Sequence, residues 1–128
     1  MTNKDKQLLL ADLCARLVYG VILNITLKNK YDKIVNRDIE LTDDNLTYII
    51  RDSHWIMFKP YLRPMLSMTE EEYKEYSKLW NLQDEFPTDA DIRFKIDVFD
   101  WLNAHHFDYR GLIEKGLALE APEGTYKQ

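Results

Sequence analysis

The chain has 128 residues, of which 45% are hydrophobic and 12% aromatic, and it carries a formal net charge of −5. A chain of this size and composition builds one domain with a real core and is not wholly disordered. The acidic balance weighs against a dedicated nucleic-acid binder, and no apolar run reaches the ~18 residues a membrane helix needs.

One domain is expected over 1–128, with a tail loosely held from about 122. Cys14 is the single cysteine, so no disulfide can close within the chain, which fits a reducing cytoplasm. The N-terminal run MTNKDKQLLLADL is broken by Asp12 and lacks a small-residue cleavage site, so it does not read as a secretion signal.

Residues 4–18 read as a helix. Leu10, Leu13, Cys14 and Leu17 fall at helical spacing with Leu9 beside them, while Lys4, Lys6 and Asp12 face away. Gly20 is placed to end it, because glycine takes the left-handed conformation without a Cβ clash. The period then changes to two. Val21, Leu23, Ile25 and Leu27 alternate with Ile22, Asn24, Thr26 and Lys28, the mark of a half-buried strand. A polar break at 29–32 suits a hairpin, and 33–41 reads as the returning strand. Thr42 to Asn45 reads as a turn, 46–51 as a third strand and 54–58 as a fourth. The two prolines of Lys59 to Pro64 predict an extended connector outside the sheet.

Two longer helices follow. Thr69 and Glu72 match a capping box and Met68 with Tyr73 a hydrophobic staple, which predicts a helix over 69–81. Thr88 is placed to cap a second helix over 89–105. Its wheel carries one stripe of Ile92, Ile96 and Phe99 and another of Phe94, Val98, Trp101 and Leu102, so it is expected to be central and buried on two sides. A short helix over 109–115 ends at Gly116, and 117–121 is extended. The predicted fold class is α+β: an N-terminal helix, a four-stranded antiparallel meander that could curl into a small barrel, two longer helices and a short C-terminal one.

Three stretches, LLLADLCARLVYGV, FKPYLRPMLSMTEEE and DWLNAHHFDYRGLIEKGLALEAPEGTY, resemble an uncharacterised family of small proteins encoded by gut bacteria and their phages or integrated elements. The resemblance spans most of the chain outside 28–57. It implies a cytoplasmic accessory protein, of mobile-element origin, and carries no catalytic or binding residue over to this sequence.

Four groups of residues bear on function. His105, His106, Asp108 and Arg110 combine metal-ligating and anion-binding types, but adjacent histidines on a helix point about 100° apart and would need a further ligand such as His54. The competing reading is a helix C-terminus with its favoured histidines, a cap at Asp108 and an internally paired Arg110. Lys28, Lys30, Lys33 and Arg37 surround Tyr31 on the first hairpin, a pattern that can hold single-stranded nucleic acid or simply keep an edge soluble. Tyr61, Tyr73, Tyr76 and Trp80 gather where a protein partner or a second copy could dock, or where a core could close. Cys14, on the apolar face, reads as a small hydrophobe.

No nucleotide-binding loop, nucleophile elbow or zinc-protease signature occurs, so no cofactor and no catalytic residue are expected. The leading expectation is a non-enzymatic protein acting through protein–protein contacts, homo-oligomers included. A nucleic-acid-associated role for the hairpin, and an enzyme or ligand site near His105, Asp108 and Arg110, are the alternatives.

Overall fold

The computed structural model describes residues 2–51, 55–81 and 89–126. The chain begins with helix α1 (Asn3–Arg16), started by a capping box in which Thr2 Oγ1 accepts from Asp5 N at 3.0 Å. A 3₁₀ turn over Leu17–Tyr19 ends at Gly20 with φ 71°, the left-handed stop its sequence predicts. Strands β1 (Ile22–Lys28) and β2 (Ile34–Glu40) form the expected hairpin, followed by helix α2 (Asp43–Arg51) and strand β3 (Trp55–Leu62). Helices α3 (Glu70–Asn81) and α4 (Asp89–Ala104) and the short strand β4 (Leu119–Glu120) complete the molecule.

The class is α+β, as predicted, but the sheet is neither a meander nor a barrel. Its order is β2-β1-β3-β4, it is open, and the β3–β4 pair is parallel. Two corrections explain the difference. The stretch 46–51 is the body of α2, because Thr42 is a helix cap rather than a turn residue: its Oγ1 accepts from Asn45 N at 3.2 Å, and Asp43 and Asp44 sit at the positive end of the helix dipole. The proline-containing connector is part of β3. Pairing with β1 stops where Leu23 faces Pro60, and Tyr61 and Leu62 turn their backbone to β4 instead. The predicted helix over 109–115 is a run of turns.

The inner sheet face carries the larger core. Val21, Leu23, Ile25, Phe58 and Leu62 pack with Leu9 and Leu13 of α1, Ile49 of α2, and Leu112 and Leu117. A smaller core joins Val98, Leu102 and Phe107 to Met65, Met68, Tyr76, Leu79 and Trp101 where α3 meets α4. The outer sheet face is polar. Asn24 Nδ2 donates to Asn36 Oδ1 and Asp38 Oδ1, Asn36 Nδ2 donates to Thr26 Oγ1, and Tyr61 O–H donates to Asp38. This polar ladder keeps an open sheet face from aggregating.

Two helix faces differ from the reading of the sequence. On α1 the buried side holds Leu9, Asp12, Leu13 and Arg16, while Cys14 is exposed. Of the expected stripe, Leu9 and Leu13 are in the core and Leu17 packs against it, but Cys14 faces out and the charged pair Asp12–Arg16 faces in. On α4, Val98 and Leu102 are buried but Ile96 and Phe99 are about half exposed, so among the described side chains the helix is covered on one side and not on two. Tyr73 is also exposed, and Met68 packs in the small core without it, so the expected staple does not form. Thr88, His54, the 82–87 linker and the side chains of Ile92 and Phe94 lie outside the described residues.

Candidate functional site

Helix α4 ends in a Schellman motif, and that motif positions the histidine cluster. Phe107 N donates to Leu102 O and His106 N donates to Asn103 O. His106 therefore takes φ 63°, the left-handed position usually given to glycine. The exit loop is then stitched to the end of β3: Arg63 N donates to His106 O and Asp108 N to Arg63 O, both at 2.8 Å.

This geometry sends the four residues of the cluster to four different neighbours. His105 packs on Trp101, with ring centroids 4.3 Å apart, and its Nδ1 lies 3.5 Å from Glu72 Oε2. His106 is buried and stacks on Tyr126 at 3.6 Å. Burial, reinforced by the nearby Arg16, Arg63 and His105, pushes its pKa down to about 4. Asp108 caps the following turns, its carboxylate accepting from Leu112 N and Ile113 N. Arg110 Nε lies 3.3 Å from Asp12 Oδ1. Among the described residues no group of three metal-ligating side chains converges.

One fully buried and one largely buried ion pair surround this loop. Arg16 meets Asp12 through Nε at 2.8 Å and Nη2 at 3.2 Å, and Nη2 also donates to Phe107 O at 2.6 Å. Arg63 grips Glu72 with both Nη groups, at 2.6 and 2.8 Å, while its guanidinium lies over the Phe107 ring. Glu72 also closes the predicted capping box: Thr69 N donates to Glu72 Oε1 and Glu72 N to Thr69 Oγ1.

The C-terminal segment is tied down. Ala121 N donates to Leu62 O. The Tyr126 hydroxyl donates to Tyr61 O at 2.6 Å and accepts from Ile22 N at 2.9 Å, bridging β1 and β3 just beyond the point where their ladder stops. Burial raises the Tyr126 pKa to about 12.

The basic hairpin residues do not share one face. Lys28 stands opposite Ile34 on the outer face, whereas Arg37 stands opposite Ile25 on the inner side, solvent-exposed. Lys30 Nζ lies 5.1 Å from the Tyr31 ring centre, and Lys28 is 3.7 Å from Asp32. Tyr31 is 70% exposed. Lys33 is exposed beside it.

The aromatic group divides. Tyr61 belongs to the outer sheet face. Tyr76 packs between Trp80 and Trp101, with centroids 6.0 and 5.8 Å away. Tyr73 is 62% and Trp80 43% exposed on α3, and Leu66 on the preceding turn is fully exposed. Asp12, expected to face away from the core, is instead fully buried against Arg16, a residue given no role from the sequence; their i,i+4 spacing on one helix face is the signal that points to the pair.

Comparison with known proteins finds no matching family model, no matching curated protein and no matching solved structure. None of the helices described is long and apolar enough to cross a membrane.

Proposed function

We propose that this protein acts by binding another protein through one side of α3, with self-association as the homo-oligomeric form of the same contact. The observation that supports this is the exposure of Tyr73 and Trp80, at 62% and 43%. Seven residues apart, they lie on one helical stripe about 10 Å long. Large aromatics left in water combine apolar area with little conformational entropy, which is why they anchor interfaces. Trp80 packs edge-on against Tyr76, which in turn meets Trp101, so one end of the stripe rests on the small core. The accessory role implied by the resemblance to mobile-element proteins belongs to this proposal.

The test places a photo-reactive phenylalanine analogue at Tyr73 and, as control, at exposed Glu71. Discrete cross-linked species are expected from position 73 alone, and Trp80→Ser is expected to remove them while leaving the helical circular dichroism intact. Equal labelling from both positions, or labelling unaffected by Trp80→Ser, would refute the reading.

A second reading rests on Tyr31 and Lys30 at the hairpin tip. An exposed ring beside lysines can stack a base while the cations meet phosphates. Binding of a single-stranded oligonucleotide that weakens with salt and is lost in Tyr31→Ala would support it; salt-independent or absent binding would remove it.

A further inference from the structure

We propose that the groove between α1 and α4 is a binding site for a small organic anion: a carboxylate or phosphate carried on a planar apolar body. The groove is open to solvent, has a volume of about 500 Å³ and is lined by Ala15, Phe99, Asn103, Tyr109 and Arg110. That volume falls in the range of small-ligand sites. The proposal stands independently of the α3 stripe.

The case rests on which polar groups the groove leaves unused. Arg63, which lies outside the groove, is spent, because both its Nη groups are bonded to Glu72. Arg110 is not. Its Nε lies 3.3 Å from Asp12 Oδ1 yet is buried without an aligned hydrogen bond, and its Nη groups bond to none of the described residues. Asp12 is already committed to Arg16 by two hydrogen bonds, so one carboxylate serves two guanidinium groups. Arg16 Nη1 is likewise buried without a partner. Arg110 thus shares its carboxylate with Arg16, and with its side chain 31% exposed the guanidinium is within reach of an arriving anion.

The second polar group agrees in sign. Asn103 Oδ1 accepts from the Tyr109 hydroxyl at 2.8 Å, so its Nδ2 is the end left to donate. No Asp or Glu is among the described lining residues. A lining with a guanidinium and no carboxylate favours an anion, and the Arg110 fork matches a carboxylate or phosphate edge in two parallel bonds. The apolar half is supplied by Phe99 and Tyr109, whose rings lie 5.1 Å apart with Phe99 46% exposed. Together they give one wall for a flat ring and one end for its charge.

The test titrates the ¹⁵N-labelled full chain with phenylacetate and phenyl phosphate, using neutral phenylacetamide as control and following backbone amide shifts. Saturable shifts are expected at Phe99, Asn103, Tyr109 and Arg110 with at least one of the anions, and the control should bind about tenfold more weakly or worse. Whichever anion binds tighter identifies the head group. Arg110→Gln should weaken binding by about tenfold, and Phe99→Ala by a smaller factor, since it removes the wall and leaves the charge. Three results would overturn the site: no saturation by about 10 mM, equal affinity for anion and amide, or shifts centred away from the groove. Should Arg110→Gln unfold, the anion–amide comparison on the unaltered chain and the Phe99→Ala variant still decide.

Discussion

Arg16 and Asp12 form an ion pair with both side chains fully buried, and the same guanidinium reaches across to the carbonyl of Phe107, 91 residues away. Helix α1 is thereby locked to the loop that leaves α4. A buried pair of this kind is a poor source of net stability, since desolvation offsets the attraction, but breaking it strands a charge in the interior. Asp12→Ala is therefore expected to destabilise the protein by about 3–5 kcal/mol, and the double change Asp12→Leu with Arg16→Met by clearly less than Asp12→Ala alone. Chemical denaturation of the two variants beside the unaltered chain checks this. A double variant worse than Asp12→Ala would show that the Arg16–Phe107 bond, not the pair, holds the loop.

Glu72 joins three structural roles in one carboxylate: cap of α3, partner of Arg63 and neighbour of His105. Losing the cap alone costs about 1 kcal/mol, and losing a bidentate, largely buried charge partner costs more. Thr69→Ala should accordingly lower stability by about 1 kcal/mol and Glu72→Ala by about 3 kcal/mol. Equal effects in urea melts would mean that Arg63 finds another partner.

What the sequence revealed and concealed follows from these residues. Local signals were readable: the alternation of β1, the Thr69–Glu72 box and the left-handed stop at Gly20 depend on neighbours in the chain. Readings that failed needed a competing local rule or a distant partner. Thr42-Asp43-Asp44 serves a turn and a helix cap equally well, and the β-branched residues after it favoured the wrong one. Asp12 looks solvent-facing on a wheel because a lone carboxylate belongs in water, and only the Arg16 guanidinium one turn on makes its burial tolerable. The parallel β3–β4 pair is two residues long, too short to leave a pattern. Of the candidate site, the helix end at His105 and His106 was legible, but that Arg110 is only half satisfied depends on where α1 lies.

The Tyr126 hydroxyl stands between Ile22 N–H and Tyr61 C=O, supplying the bonds that the β1–β3 ladder no longer makes. Tyr126→Phe keeps the ring against His106 and removes only the bridge. It should cost about 1–2 kcal/mol, the penalty for leaving partly buried backbone groups unsatisfied. Hydrogen exchange gives the sharper reading: the Ile22 amide should lose protection while Leu23 and Ile25 keep theirs. Unchanged protection at Ile22 would mean that another group replaces the phenol.

His106 ties stability to pH. Its pKa falls from an ordinary value of 6.5 to about 4 in the folded chain, first because it is buried and then because Arg16, Arg63 and His105 face it. The folded protein thus binds the proton less readily than the unfolded chain. The contribution is complete above pH ~6.5, shrinks as the pH falls through the window between 6.5 and about 4, and is absent below it. The loss amounts to roughly 3 kcal/mol. His106→Asn isolates it, because asparagine accepts the left-handed backbone at φ 63° but does not titrate. The variant should be less stable than the wild type at pH 7, having lost the stack on Tyr126, yet decline more gently towards pH 4. Thermal melts at intervals across that window measure the difference in slope. Parallel curves would mean that His106 charges freely in the fold, and that the Arg16 and Arg63 guanidinium groups do not oppose it.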